Sequence, residues 1–298
     1  MKGFLRTIVF FLFLPFVASL TSCEVDDSSL VPSYVSVDSF ALTSDYEQGT
    51  ASHKITDVWV YLDETLIGAY ELPARVPILS EGAQNITLRP GIKINGISST
   101  RAIYPYLNPV TSSVNLSKDS ISAFSTVNTR YRTNVIFPWL ESFEHSSFSI
   151  DTTSKSTVAL QRTQDPQLVF SFPGESGSYS GMIQLPSDTS VFEVVTNETF
   201  DFPSAGSEVF MEMNYKTDNT FVVGVFYKSS GIQVQRPLLV INKSDEWNKV
   251  YINLTVPKYD TPNATDFQIF IGATTDEGNN EATILLDNLK LVHFNTTK

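Results

Sequence analysis

The sequence predicts an all-β protein, a small N-terminal β-sandwich followed by a larger one. Apolar residues recur at every second position and hardly ever at 3.6-residue spacing. Short β-branched and aromatic runs are separated by Pro, Gly, Asn, Asp and Ser clusters about every 8 to 12 residues, the spacing of sandwiches and barrels. After the first 22 residues no stretch carries the apolar stripe of an amphipathic helix.

The N-terminus reads as a targeting segment. Lys2 and Arg6 supply positive charge, and Ile8 to Leu20 form an apolar run that falls short of the roughly 20 residues needed to cross a bilayer. Leu20, Thr21, Ser22 and Cys23 end that run, and Cys23 is the single cysteine of the chain. The four residues resemble a bacterial lipobox. The resemblance implies that residues 1–22 are cleaved as a signal peptide and that Cys23 carries a lipid anchor. Acylation at Cys23 leaves no thiol for a disulfide, a thiolate metal site or a nucleophile, so stability must come from packing. Glu24, Asp26 and Asp27 follow at once. They resemble the export signal of Bacteroidota surface lipoproteins, which implies an outer-membrane location facing the cell exterior. Read from charge alone, the same residues are a solvated acidic linker.

The whole chain of 298 residues has a formal charge of −12. Removing the leader takes away two basic residues and no acidic ones, leaving 18 basic against 32 acidic and a charge of −14. Phosphate backbones and anionic lipid would repel such a chain, and no basic stripe with interleaved aromatics is present, so nucleic-acid partners are disfavoured. At roughly 150 residues per domain, the length after the leader suggests two domains. The segments expected are an acidic tether over 23–36, a first sandwich over 37–137 and a second over 138–298, with the change near Pro138.

In the first sandwich, Val58, Val60 and Leu62 alternate with Trp59 and Tyr61 and predict a strand. Asp63 and Glu64 form a turn, a second strand runs through Tyr70, Pro73 and Pro77 act as breakers, Gly82 sits in a turn, and Ile86 to Leu88 begin another strand. Val58 to Gly68 (VWVYLDETLIG) and Gly82 to Leu88 (GAQNITL) resemble PEGA-type β-modules of bacterial envelope proteins. Glu64 stands where that pattern has a tight-turn glycine, and the stretch from Ala69 to Leu79 is longer than the pattern. The resemblance covers about 30 residues and implies tethering and protein contacts.

In the second sandwich, Val209, Met211, Met213 and Tyr215 alternate with Phe210, Glu212 and Asn214, and Val250, Ile252, Leu254 and Val256 alternate with Tyr251, Asn253 and Thr255. Leu140 to Phe148, Gly181 to Leu185, Glu208 to Val225, Trp247 to Leu254 and Ala282 to Leu291 occur in the order seen in jelly-roll modules similar to carbohydrate-binding ones. The apolar phase shifts from even positions at Ala282, Ile284 and Leu286 to odd ones at Leu289 and Leu291, which predicts a bulge at Asp287 and Asn288. The jelly-roll resemblance implies a structural calcium held by Glu144 and Asp287. Calcium takes about six to eight oxygen ligands, and the alternative is a solvated or backbone-capping aspartate.

Catalytic patterns are missing from the sequence. Gly177 to Gly181 places tyrosine, not serine, at the centre of a would-be nucleophile elbow, and His53, His145 and His293 lie in no metal-ligand spacing. A non-enzymatic role is therefore expected, with no cofactor required. Two binding roles remain open: a protein-binding scaffold or accessory subunit on an integral outer-membrane β-barrel, and a glycan-binding lipoprotein that captures polysaccharide. The run Asn95 to Leu107, rich in aromatics and proline, is an expected contact surface for the first. Sugar platforms use aromatic faces, and Tyr227, Tyr251 and Tyr259 are alternatives to Trp59, Trp139 and Trp247 for the second.

Overall fold

The computed structural model describes residues 31–174, 177–204 and 206–296. The leader, Cys23, Glu24, Asp26 and Asp27 lie outside the described residues. The strands that follow form two β-sandwiches, the larger a jelly roll.

The first sandwich comprises β1 (Ser33–Thr43), β2 (Asp57–Leu62), β3 (Thr65–Glu71), β4 (Ala74–Ile78), β5 (Gly82–Lys93), β6 (Arg101–Ile103), β7 (Val110–Leu116) and β8 (Ile121–Arg130). One sheet has the order β4-β1-β8, with β1 antiparallel to β4 and parallel to β8. The other has the order β3-β2-β5, with β6 and β7 both pairing with β5. Alternation sends Val35, Val37, Val58, Val60, Ile86 and Leu88 into the core between the sheets, each at most 1% exposed. Each such side chain contributes about 1.5 to 3 kcal/mol.

Three details differ from expectation. The tether is shorter than 23–36, because β1 starts at Ser33 and already buries Ser33 and Val35. Pro77 lies inside β4: that strand is an edge, paired on one side with β1, and tolerates a residue without an N–H. The extra length between Ala69 and Leu79 thus carries the chain from one sheet to the other. The β2–β3 hairpin turns on Asp63 and Glu64, with φ of 43° and 71°, and Asp63 Oδ1 accepts the Asn85 N–H. A two-residue turn with both φ positive has the twist that hairpins require, here made without glycine.

The second sandwich comprises β9 (Val135–Glu141), β10 (Ile150–Thr152), β11 (Gln161–Thr163), β12 (Ser180–Leu185), β13 (Val191–Thr196), β14 (Val209–Thr217), β15 (Phe221–Ser229), β16 (Ile232–Ile241), β17 (Ser244–Asn253), β18 (Thr265–Thr274) and β19 (Ala282–Phe294), with one short helix, α1 (Thr255–Asp260). The sheets have the orders β10-β13-β18-β15-β16 and β11-β12-β19-β14-β17, and β9 also pairs with β19. Pro138 falls within β9, so the chain changes sandwich before it, between Arg130 and Val135. The predicted bulge is present: Glu212 faces Lys290 but Asn214 faces Asp287, and Asn288 has φ of 51°.

The two sandwiches share a buried seam. Strand β14 buries both of its faces: Val209, Met211 and Met213 enter the core of the second sandwich, while Phe210 joins Tyr251 and Val292 in the core of the first. Tyr104 and Tyr106 meet Phe210 with ring centroids 5.6 and 6.0 Å apart. The aromatic end of the run Asn95 to Leu107, with Tyr104, Tyr106 and Leu107 buried, is thus turned inward, while Gly96 to Arg101 are exposed. Beneath it lies Glu212, whose Oε1 accepts the hydroxyls of Tyr104 and Tyr131, both at 2.8 Å, and whose Oε2 pairs with Lys249 Nζ at 2.8 Å. Burial and the Glu212 charge push both tyrosines well above the usual phenol range, so they remain protonated donors. His53 lies at this seam, lowered by burial and by the Lys249 charge.

Candidate functional site

At one end of the seam is a cleft of about 930 Å³ built from both sandwiches. Its first wall is the β1–β2 connection. Residues Tyr46–Gln48 form a 3-10 turn in which the Gln48 side-chain oxygen accepts the Asp45 N–H at 3.0 Å. Gly49, with φ of 71°, follows, and an added Cβ there would lie 3.1 Å from Lys290 Cε. Lys290 donates to Thr50 O, which fixes the turn to the second sandwich. Tyr46 projects from this wall 94% exposed.

The opposite wall is the loop after β9. Glu141 turns it back on the strand: its Oε1 accepts the Phe143 N–H, and its Oε2 accepts the Ser149 N–H and hydroxyl, all at 2.7 Å. Trp139 Nε1 donates to the same Ser149 hydroxyl. The Phe143 ring fills the space that a Cβ on Gly181 would take, 2.6 Å from its Cζ. Glu144 Oε1 accepts the N–H groups of Ser178 and Tyr179 and so holds the next loop. Phe148, Phe170 and Phe172 line the cleft half-buried, and Asn197 stands exposed at it.

Among the described residues the cleft is lined by six acidic side chains, Asp45, Glu47, Glu141, Glu144, Glu198 and Asp287, and by no lysine or arginine. Asp287 is 4% exposed. Burial, with the Glu144 and Glu141 charges adding to it, pushes its carboxyl up to about 8 against the opposing bonds from Ser180 and Asn288. It is therefore uncharged at neutral pH.

Glu144 and Asp287, the expected calcium pair, do line the same cleft. Most of the oxygens there already accept hydrogen bonds. Asp287 Oδ2 is bonded to the Ser180 hydroxyl and Oδ1 to the Asn288 N–H, while the neighbouring Glu141 has both oxygens turned to N–H and O–H donors. Among the described residues no group of three or more His, Cys, Asp or Glu side chains is arranged to hold a metal ion. Asp287 is a backbone-capping acid, and it is buried rather than solvated.

The expected aromatic platforms fare unequally. Trp139, Tyr227 and Tyr251 are buried at 6, 6 and 3% exposure and cannot stack a ligand. Trp247 is half-buried against Phe170, with ring centroids 5.3 Å apart. Tyr259, 67% exposed, remains open at the end of α1, far in sequence from the cleft residues. Tyr46 was not singled out in the sequence, because an exposed tyrosine in a polar loop has no periodicity to mark it.

No protein family and no curated protein matches the chain. Solved structures do. The CBM22-1 and GH10 modules of a Clostridium thermocellum endo-1,4-β-D-xylanase, complexed with xylohexaose, are 15% identical over 54% of this chain, with a TM-score of 0.39; the match takes in 29% of that chain. Carbohydrate-binding modules of a β-sandwich superfamily with promiscuous specificity are 12% identical, covering 79% of this chain and 84% of that one, with a TM-score of 0.36. The family 30 carbohydrate-binding module of a C. thermocellum cellulosomal cellulase is 14% identical over 51% of this chain and 89% of its own, with a TM-score of 0.33. At these identities the likeness is one of fold.

Proposed function

We propose that the protein is a non-enzymatic glycan-binding lipoprotein that takes a neutral sugar chain in the cleft between its two sandwiches. The observation that carries this reading is Tyr46, 94% exposed on a turn anchored by Lys290, at a cleft whose other groups include phenylalanines, carboxylates, serines, His145 and two asparagines. An aromatic face packs against sugar C–H bonds, while carboxylate and amide oxygens accept from hydroxyls. Lacking lysine and arginine, the cleft repels anionic ligands. The Glu141 and Glu144 carboxylates accept from backbone N–H groups, which suits a rigid binding wall better than proton transfer.

The anchoring part of this reading rests on the sequence: a lipid on Cys23, an acidic tether, a Bacteroidota-type outer-membrane location facing outward and a PEGA-like first module. The test is binding of the full-length chain to a panel of neutral oligosaccharides, repeated with Tyr46→Ala. Saturable binding that the substitution weakens supports the proposal. Retention of no neutral glycan, or retention that is indifferent to Tyr46→Ala, defeats it.

A second reading is a protein-binding scaffold on an outer-membrane β-barrel. The observation favouring it is β16, an edge strand that leaves Ile232 and Val240 69% and 57% exposed. Stoichiometric recovery of a barrel in a detergent pull-down, lost on Val240→Lys, would favour it over glycan capture.

A further inference from the structure

The outer face of the first sandwich carries a feature that the cleft does not use. Side chains alternate along β2, so Trp59 and Tyr61 both point away from the core that receives Val58 and Val60. Across the ladder Trp59 faces Arg89 of β5, and Tyr61 faces Thr87. The Arg89 guanidinium lies over the Tyr61 ring, 4.8 Å from its centroid. A Cβ on Gly91 would lie 3.1 Å from Trp59 Cδ1 and Nε1, so the indole rests directly on the β5 backbone. The three side chains are half-buried, and beside them the Thr87 and Thr111 hydroxyls meet at 2.8 Å.

The charge of this face is not balanced. At its border Arg101 pairs with Asp57 and Glu71, and Lys93 with Glu71, two acids against two bases. Arg89 has no carboxylate partner among the described residues, and its Nε is buried without an acceptor. On a chain of net charge −12, an arginine held against an aromatic ring, next to a second aromatic ring, leaves a fixed positive charge over a flat apolar floor. A guanidinium binds a carboxylate through two parallel N–H bonds, and an aromatic floor takes the C–H face of a pyranose.

We propose that this face binds an acidic sugar, a uronic-acid residue whose ring lies on Trp59, whose hydroxyls meet Thr87 and Thr111, and whose carboxylate meets Arg89, held in place over Tyr61. The site is separate from the cleft and of opposite charge preference. Repulsion from the rest of the protein is screened beyond about 8 Å at physiological ionic strength, so the local contact decides binding.

The test is titration of the full-length chain with tetragalacturonate and with the neutral galactotetraose, followed by calorimetry. The uronate should bind the wild type in preference to the neutral tetramer, and Arg89→Gln should weaken it by about tenfold or more. Arg89→Lys keeps the charge without the fork and should give an intermediate loss, and Tyr46→Ala should change nothing, which separates this site from the cleft. Circular dichroism confirms that each variant is folded; if Arg89→Gln is not, Arg89→Lys and Tyr61→Ala carry the test. Equal weakening by Arg75→Gln, whose guanidinium sits over Tyr34 on the other sheet, would reveal ionic adsorption and overturn the proposal. Absence of uronate binding, or binding indifferent to Arg89, overturns it as well.

Discussion

Glu212 and Lys249 form an ion pair at 2.8 Å with side chains 1% and 3% exposed, at the seam where the two sandwiches meet. The pair spans adjacent strands β14 and β17 of the second sandwich diagonally, Glu212 opposite Tyr251 and Lys249 opposite Asn214, yet the hydrogen-bond donors Tyr104 and Tyr131 belong to the first. Burial raises the Glu212 carboxyl, but the Lys249 and Lys290 charges and the bonds from Lys249 and Tyr104 outweigh it, and the net direction is down.

Removing one partner leaves a buried charge uncompensated. Glu212→Gln should therefore cost about 3 to 5 kcal/mol in urea unfolding, and Glu212→Gln with Lys249→Met should cost less than the sum of the single changes. Glu212 is depressed in the fold, so its stabilisation is present above the unfolded carboxyl range and disappears as pH falls through the folded value. The wild type should lose stability in acid more steeply than Glu212→Gln. Strictly additive single changes would show that the pair is not coupled.

Asp287 predicts the opposite slope. Its folded value, about 8, lies above that of an unfolded aspartate, so the folded state keeps a proton that the unfolded state has released. Its contribution is complete at low pH and lost as pH rises through about 8, with a slope of about 1.4 kcal/mol per unit in between. Melting of Asp287→Asn beside the wild type at pH 5 and 9 should show the variant gaining relative stability at the higher pH. Neither EDTA nor added calcium should move either curve; a rise in melting temperature with calcium would contradict that expectation.

Glu64 occupies a left-handed position, φ 71°, where a side chain is strained and glycine is not. Glu64→Gly should raise stability by about 0.5 to 1 kcal/mol despite the added freedom of the unfolded chain. A loss measured in urea would mean that the Glu64 side chain does more than turn the chain.

Gly224 of β15 is closed to any side chain. A Cβ there would lie 2.3 Å from Arg236 O and 2.5 Å from the Phe270 ring, a contact with backbone that a rotamer change cannot relieve. Gly224→Ala should cost about 3 kcal/mol, whereas Gly278→Ala, the same hydrogen-to-methyl change with nothing within 4 Å, should cost only its φ strain.

Cys23→Ala should release the protein from membranes while leaving both sandwiches folded, as read by fractionation and circular dichroism. Continued membrane association at full occupancy would place attachment in a protein partner.

The period-two pattern made the strands legible, and the phase shift around Asp287 made the bulge legible, because both are recorded in the spacing of apolar residues. What escaped was any position buried twice. Phe210, Glu212 and Asn214 read as the outward face of a strand, and so they are, but that face meets another sandwich. Nothing local distinguishes Glu212 in that seam from a solvated glutamate. The aromatics of Asn95 to Leu107 read as a surface for an outside partner, but Tyr104 and Tyr106 pack on Phe210 of the same chain. The cleft was illegible for a related reason: Tyr46, Glu141 and Asn197 come together only through the pairing of β9 with β19 and the tie from Lys290 to Thr50.

Strand β1 pairs in parallel with β8, and β19 lies between β12, β14 and β9 while giving Val292 to the first core and Leu291 to the second. The β1–β8 ladder joins Tyr34 to Ile121, far apart in sequence, and both cores take residues from β19, so neither sandwich is built from local contacts alone. A variant without β19 would therefore lose the strand to which β12, β14 and β9 all pair, together with a core residue of each sandwich.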